Sequence, residues 1–243
     1  MKTKRFKKGK GLSKVIMDMH LKPKLLEFIK WKVIDLYRII KYGKQFREFG
    51  LTLYCGRQGT GKTIGMVHYL EEMKKLYPEC IIVTNFSYIN EDYSMENWRD
   101  LFKYKNDDKG VIFAIDEIQN EFNNQKWKDF PEHILSEITQ QRKQRVKIVA
   151  TSQVFTRVVK QLREQCFEVV ECKTLFGRWT ILKAFLADEY ENSLENPEKK
   201  QKLYKCWRKS FIQTDNLRFL YDTYEKVEKM KDEQFIDREK RVV

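Results

Sequence analysis

The chain has 243 residues, of which 48 are Lys or Arg and 35 are Asp or Glu, so its formal net charge is +13, and 42% of its residues are hydrophobic. A chain of this length can bury a sizeable core as one domain with short extensions, without disulfide bonds or a structural metal. Its basic start lacks an apolar segment and no apolar run approaches membrane-spanning length, which argues against secreted and transmembrane proteins.

The positive charge is concentrated at the N-terminus, where residues 1–50 hold 15 Lys or Arg and 4 Asp or Glu. Residues 1–14 lack apolar periodicity and are expected to be disordered without a partner. Such a tail attracts nucleic acid or anionic lipid, or simply keeps the chain soluble. Residues 24–46 predict a basic amphipathic helix that packs on protein or lies on a membrane surface. We treat residues 1–47 as this arm and helix.

Residues 48–187 have the pattern of an α/β core. Short and nearly continuous apolar runs predict strands that are buried on both faces of a mainly parallel sheet. These runs are Leu51–Cys55, Cys80–Phe86, Val111–Ile115 and Val146–Thr151, and residues 62–76 and 132–145 between them have helical spacing. After Cys166, two β-rich runs flank Leu175-Phe176-Gly177 and predict an antiparallel hairpin added to the sheet.

The last segment, residues 188–243, is polar and predicts a loop followed by a strand and helix extension. Residues 188–203 contain Pro197 and many charges, so we expect a mobile surface loop there. Residues 219–240 are interpreted as a charged helix. The five cysteines form no C-x-x-C pair, which is typical of reduced thiols in a cytosol-like compartment and argues against a zinc site.

The sharpest motif is a G-x-x-x-x-G-K-T phosphate loop between the first predicted strand and a helix. Its glycines let backbone N–H groups wrap a β-phosphate, and the helix N-terminus adds positive potential. Lys62 is expected to reach the β- and γ-phosphates and the Thr63 hydroxyl to bind Mg²⁺. The predicted cofactors are ATP and Mg²⁺, and the predicted binding residues are Gly56, Arg57, Gln58, Gly59, Thr60, Gly61, Lys62, Thr63 and Ile64.

Two further strand ends carry candidate catalytic groups. Asp116 and Glu117 follow the apolar run VIFAI, which predicts that Asp116 holds Mg²⁺ through water and Glu117 activates the attacking water. Gln153 follows the strand KIVATS and is expected to sense the γ-phosphate and the attacking water. The alternative for Gln153 is a solvated polar residue at a strand end.

Phosphoryl transfer also needs a cation to neutralise its transition state. The candidates are Arg142 at the end of a predicted helix, and Arg157 and Arg163 after the strand KIVATS, here called the sensor strand. An arginine supplied by an adjacent subunit would make hydrolysis depend on assembly into a ring. The alternative interpretation of each arginine is a solvated position on the surface. Trp127 with its lysine neighbours is a candidate nucleic-acid contact or, alternatively, a loop anchor.

These motifs carry a family resemblance. The segments CIIVTNF, VIFAIDEIQNEF and QQRKQRVKIVATSQVFTRVVKQLRE resemble the zonula occludens toxin-like (Zot-like) ATPases of phages, within the FtsK/HerA group of P-loop motors. The resemblance implies a P-loop NTPase of the ASCE type, with the nucleotide at a subunit boundary of a ring. In such relatives an arginine near the position of Arg142 precedes the sensor strand, so Arg142 acting in trans ranks first. Filamentous-phage members usually carry a transmembrane segment after the core, and this sequence shows none.

The interpretation that follows is an ATP-hydrolysing motor of a phage or mobile element that translocates or packages DNA. Its expected partners are double-stranded or single-stranded DNA, bound without sequence preference, and further copies of the chain. The alternative is a Zot-like ATPase for virion assembly or extrusion, with a peripheral membrane or a portal or capsid partner. Expected locations are the host-cell cytoplasm, a membrane surface or the virion. Glu117 argues against a non-hydrolysing switch, and no lid motif favours a small-molecule kinase.

Overall fold

The computed structural model describes residues 24–121, 145–195 and 203–221. The predictions for the disordered tail, for Trp127 and Arg142, for nearly all of the helix over 132–145 and for most of the charged C-terminal helix lie outside the described residues. The chain divides into two compact units between Gln45 and Phe46.

The first unit contains helix α1, Lys24–Tyr42. This confirms the predicted helix, although it ends at Tyr42 and not at 46. Ile34 is buried, whereas all the other apolar side chains of α1 are exposed. Lys and Arg separate these apolar positions, as the amphipathic pattern predicted. The exposed apolar residues are Leu25, Leu26, Phe28, Ile29, Trp31, Val33, Leu36, Tyr37, Ile39, Ile40 and Tyr42.

The second unit is built on one eight-stranded sheet with the order β3-β2-β4-β5-β1-β6-β7-β8. Neighbouring strands from β3 through to β6 are parallel, and β6, β7 and β8 are antiparallel. This confirms the mainly parallel sheet and the added hairpin. The strands are β1 Gly50–Cys55, β2 Ile81–Thr84, β3 Tyr93–Ser94, β4 Val111–Ile115, β5 Val146–Ser152, β6 Cys166–Leu175, β7 Trp179–Leu186 and β8 Trp207–Ile212.

Helices cover both faces of this sheet. They are α2 Lys62–Leu76, α3 Asp100–Lys103, α4 Ile118–Glu121, α5 Lys160–Arg163, α6 Ala187–Glu195 and α7 Asp215–Arg218, with a 3₁₀ turn at Phe155–Arg157. Helix α2 packs Met66 and Leu70 into the core of one face, and Leu162 and Tyr190 belong to the core of the other. Strands β1, β4 and β5 are buried at every residue, as expected for central strands of an α/β layer structure.

The prediction of a mobile loop over residues 188–203 is wrong for its first half, because helix α6 occupies Ala187–Glu195. Ala187 and Tyr190 lie one turn apart and are both buried. The Tyr190 hydroxyl donates to Oε1 of Glu171 at 3.1 Å, which fixes the helix to β6. The charged composition of the segment conceals this short apolar stripe.

The C-terminal segment also differs from its prediction at its first residues. Phe219 caps α7 and Tyr221 forms an isolated antiparallel bridge with Tyr88. The predicted charged helix therefore does not begin at 219, and the rest of it lies outside the described residues.

Candidate nucleotide-binding site

The phosphate loop, residues 56–63, connects β1 to α2 at the carboxyl edge of the parallel strands. Gly61 has φ 87°, in the left-handed region that glycine adopts at little cost, and α2 starts at the next residue. The Nζ of Lys62 reaches back across the loop and donates to the carbonyl oxygen of Arg57 at 3.2 Å. The Thr60 hydroxyl donates to the same oxygen at 2.7 Å. The Thr60 and Lys62 side chains thus meet at one carbonyl oxygen of the loop. The N-terminus of α2 adjoins the loop, where a phosphate would bind.

Strand β4 brings Asp116 to this loop. The Thr63 hydroxyl donates to Oδ1 of Asp116 at 3.0 Å, although the two residues are 53 positions apart in sequence. A hydroxyl oxygen beside a carboxylate is a donor set that suits Mg²⁺, which prefers a few protein oxygens and water. The residues present therefore fit the metal that the sequence predicted, with Thr63 and Asp116 as its protein partners.

Asn85, which follows β2, holds the backbone of Asp116 in place. Its side-chain oxygen accepts the N–H of Asp116 at 2.7 Å, and its amide nitrogen donates to the carbonyl oxygen of Asp116 at 3.2 Å. A side chain that pairs with both backbone groups of one residue fixes that residue's orientation. Asn85 belongs to the segment CIIVTNF that carries the family resemblance, but the sequence gave no indication of this role.

Glu117 adopts a backbone conformation that is rare for its residue type, with φ 54°. Its N–H donates to the Thr151 hydroxyl oxygen at 2.9 Å, which holds the residue in this conformation. Its two carboxylate oxygens accept hydrogen bonds from the side-chain amides of Gln153 and Asn120, both at 3.0 Å. Strained backbone that is over-determined by its surroundings is a recurrent property of functional sites.

Gln153 contacts Glu117 as well as one of the candidate arginines. Nη1 of Arg157 lies 3.5 Å from Oε1 of Gln153, so this arginine stands at the edge of the carboxylate cluster. Arg163 is instead bound within the subunit: its Nη1 lies 2.8 Å from Oε1 of Glu191, and its side chain is 16% exposed. The sequence could not separate these two arginines, since Glu191 belongs to the helix that was predicted as a loop.

The structure thus brings Lys62, Thr63, Asp116, Glu117 and Gln153 to one edge of the sheet. Sequence reasoning missed three polar residues that connect or support them. These are Asn85, Asn120 and Thr151. The signal that could have identified two of them is their position at the ends of strands next to β4, because the carboxyl ends of parallel strands meet at the same edge.

No helix among residues 24–121, 145–195 and 203–221 is long and apolar enough to cross a membrane. No curated protein matches the chain. The family model for zonular occludens toxin (Zot) matches residues 70–205.

Among solved structures, the N-terminal domain of zonular occludens toxin from Neisseria meningitidis is similar, with a TM-score of 0.50 and 15% identity over 72% of this chain and 100% of that domain. The genome packaging NTPase B204 from Sulfolobus turreted icosahedral virus 2, in complex with ATP-gammaS, aligns with a TM-score of 0.44 and 14% identity. That alignment covers 58% of this chain and 93% of B204. At 15% identity the likeness to the Neisseria domain is one of fold. A parallel sheet with a phosphate loop between its first strand and the following helix is the architecture of a P-loop NTPase.

Proposed function

The chain belongs to the zonular occludens toxin (Zot) family, and from its site we propose that it hydrolyses ATP and uses the energy to move the DNA of a phage or mobile element. The observation that carries the hydrolysis is the 3.0 Å hydrogen bond between the Thr63 hydroxyl and Asp116. It joins the phosphate loop to a strand end whose next residue, Glu117, is a carboxylate. A phosphate loop, a metal-side carboxylate and a second carboxylate are the parts that NTP hydrolysis requires.

In the proposed reaction, backbone N–H groups of the phosphate loop and Lys62 bind the β- and γ-phosphates. Thr63 and Asp116 would hold Mg²⁺, which would neutralise phosphate charge when bound. Glu117 accepts the proton of the attacking water. Gln153 holds one oxygen of Glu117 and so orients the carboxylate that receives the proton.

The cation for the transition state remains a separate proposal. Arg142, supplied by the next subunit, ranks first by family resemblance and lies outside the described residues. Arg157 ranks second because it lies beside Gln153 in the same subunit. Comparing hydrolysis by Arg142→Ala and Arg157→Ala at several protein concentrations distinguishes these two sources, because an arginine in trans makes the specific activity depend on assembly.

DNA as the cargo is supported by charge. Residues 1–50 carry a net charge of +11, and the other 193 residues together carry +2. A cationic segment that neutralises phosphates gives binding without sequence preference and with steep salt dependence. Homo-oligomerisation would bring several of these segments to one DNA molecule and so increase the avidity of binding.

The alternative, virion assembly or extrusion at a membrane, has one specific observation in its favour. Helix α1 exposes apolar side chains such as Trp31 and Leu36, with lysines between the apolar positions. Helices of this composition bind the surface of anionic bilayers. Flotation of the full chain with anionic liposomes, measured beside neutral ones, tests this alternative directly.

The experiment that tests the proposed function is ATP hydrolysis by the full chain, with and without double-stranded DNA, at low and moderate salt. We expect stimulation by DNA that weakens as salt rises, and that weakens further when Lys2, Lys4, Arg5, Lys7, Lys8 and Lys10 are changed to Gln. Lys62→Ala should abolish productive binding, whereas Glu117→Gln should leave ATP bound and uncleaved. If DNA does not change the rate of hydrolysis, the proposed motor function is refuted while the proposed ATPase activity stands. If Glu117→Gln hydrolyses ATP at the normal rate, Glu117 is not the base.

A further inference from the structure

The turn between β6 and β7 carries an aromatic side chain in an unfavourable position. Phe176 and Gly177 have φ 50° and 69°, and the N–H of Arg178 donates to the carbonyl oxygen of Leu175 at 3.1 Å. β-turns with positive φ at both central residues strongly prefer Asn, Asp or Gly there, and a bulky residue at the first of these positions is strained. The ring of Phe176 is also 95% exposed. Neither local conformation nor burial explains a phenylalanine here.

This turn lies beside the phosphate loop. Strand β6 is parallel to β1, and Cys55, the last residue of β1, pairs with Glu171, so β6 continues four residues further to Leu175. On this extension the Thr174 hydroxyl donates to the carbonyl oxygen of Thr60 in the loop at 3.0 Å. Phe176 follows two residues later, about 7 Å further along at the rise of a strand.

The two sides of the phosphate loop have different chemistry. On the side of β5 and β4 lie Asp116, Glu117 and Gln153, which face the γ-phosphate in the proposed reaction. On the other side, β6 and β7 present hydroxyls to the loop: a Cβ on Gly61 would lie 2.5 Å from Oγ1 of Thr174 and 3.2 Å from Oγ1 of Thr180. A nucleotide whose γ-phosphate points towards Glu117 has its base at the opposite end. The β6–β7 turn is on that side of the loop, so we expect the base there.

Polar contacts from the C-terminal segment fix the turn. Gln213 is 6% exposed, its N–H donates to the carbonyl oxygen of Arg178 at 2.7 Å, and its side-chain amide donates to the Thr180 hydroxyl at 2.7 Å. Arg218 donates both to Oε1 of Gln213 and to the carbonyl oxygen of Gly177. A turn held by these hydrogen bonds presents its side chain at a defined place, which lowers the entropic cost of binding a ligand there.

We propose that the Phe176 ring is the stacking platform for the base of the bound nucleoside triphosphate. This inference rests on the proposed ATP binding and adds the base subsite to it. Stacking requires an exposed aromatic face near the phosphate site. Phe176 supplies an exposed ring two residues after Thr174, which contacts the loop. Because every base has a π-face, stacking alone accepts purines of either kind, so ATP and GTP should bind alike through this contact.

The experiment measures binding of Mg-ATP and of magnesium tripolyphosphate to the full chain by calorimetry. Phe176→Asn installs the residue that the turn geometry prefers, so the variant should fold at least as stably as the native chain. We expect it to bind ATP about tenfold or more weakly, as loss of base stacking predicts, and tripolyphosphate unchanged. Phe176→Tyr keeps an aromatic face and should bind ATP as the native chain does.

Tyr204→Ala is the matched control, since Tyr204 is 77% exposed and lies near the other end of the hairpin, where the N–H of Cys206 donates to Ala184. If Phe176→Asn binds ATP as the native chain does, the inference is overturned, even if the variant assembles differently. Equal loss of ATP and tripolyphosphate would overturn it too, because the turn would then act through the phosphate loop. Failure of the native chain to bind either ligand would instead refute the proposed ATP binding.

Discussion

The hydroxyl of Thr151 donates a 2.7 Å hydrogen bond to Oδ1 of Asp116. The same hydroxyl oxygen accepts the N–H of Glu117 at 2.9 Å. One buried side chain on β5 thus sets the positions of both carboxyl-bearing residues that follow β4. Thr151 touches neither phosphate nor water in the proposed reaction and acts as a positioning residue for the two that do.

Replacing Thr151 with Val removes both hydrogen bonds while keeping the side-chain shape. We expect kcat for ATP to fall about ten- to a hundred-fold, because misplacement of catalytic groups by about 1 Å has effects of this size. The free energy of unfolding should fall by about 1–3 kcal/mol, since a buried N–H is left without its acceptor. Steady-state kinetics and urea unfolding measure the two effects.

Thr151→Ser is the control for that change, because serine retains the hydroxyl that donates to Asp116. It should restore most of kcat while still losing the methyl group. If Thr151→Val hydrolysed ATP like the native chain, the positions of Asp116 and Glu117 would not depend on this hydroxyl.

Gln153 and Asn120 each donate a 3.0 Å hydrogen bond to a different oxygen of Glu117. Gln153→Ala removes the hydrogen bond to Oε1 of Glu117. We expect kcat to fall about ten- to a hundred-fold with little change in KM, because this contact orients a base and does not bind substrate. Steady-state kinetics with ATP as the varied substrate measures this split.

Asn120→Ala is the matched comparison, since it frees the other oxygen from within α4. A double variant shows whether the two amides act as a unit, in which case the combined loss is smaller than the product of the single losses. A rise in KM with unchanged kcat for Gln153→Ala would show that Gln153 binds the nucleotide and does not orient Glu117.

The central sheet could be predicted because its strands have a recognisable apolar pattern in the sequence. Val111–Ile115 is apolar at every position, and the structure buries all five residues. Such runs occur when both faces of a parallel strand are covered. The phosphate loop could be predicted equally well, because its glycines and Lys62 have the fixed spacing that is needed for a backbone to wrap around a phosphate.

The supporting polar residues could not be predicted, because their roles depend on which strands become neighbours. Asn85 reaches the backbone of Asp116 only because β2 lies next to β4 in the sheet. Helix α6 was missed for a related reason, because its two buried apolar residues, Ala187 and Tyr190, are covered only when the helix packs next to β6 and β7. The exposed Phe176 sits in a correctly predicted turn, yet nothing in the hairpin pattern indicated that its ring would be left uncovered.

Gly110 precedes β4 with φ 80°, and a Cβ built on it would lie 2.1 Å from Cδ1 of the buried Phe46. Gly110→Ala should therefore lower the free energy of unfolding by about 2–4 kcal/mol, through backbone strain and displacement of the ring. Gly177→Ala is the control, since Gly177 has φ 69° and no atom within 4 Å of its Cβ position.

Denaturant unfolding of both glycine variants separates the two costs. The control should lose only the backbone contribution, about 1–2 kcal/mol. Equal losses in the two variants would show that Phe46 moves aside freely and that the close approach at Gly110 does not matter for stability.

Lys147 on β5 is a buried lysine whose ammonium group donates to the Thr52 hydroxyl at 2.8 Å. Burial lowers the pKa of Lys147 below its usual value near 10.5, because the charged form loses its hydration. A lysine with a lower pKa in the folded state binds protons more weakly there than in the unfolded chain. Its charge therefore destabilises the fold at neutral pH, and this penalty is relieved as pH rises from the folded-state pKa towards 10.5.

Lys147→Met removes the buried charge at similar length, so the variant should gain stability relative to the native chain at pH 7, with the gain shrinking as pH approaches 10. Taking the difference between the two chains at each pH cancels the titration of their shared groups. Lys160→Met, at a lysine whose side chain is 76% exposed, should show neither the gain nor its pH dependence. If Lys147→Met were less stable at pH 7 by an amount independent of pH, the hydrogen bonds of the ammonium group would outweigh its desolvation, and the buried lysine would stabilise this edge of the sheet.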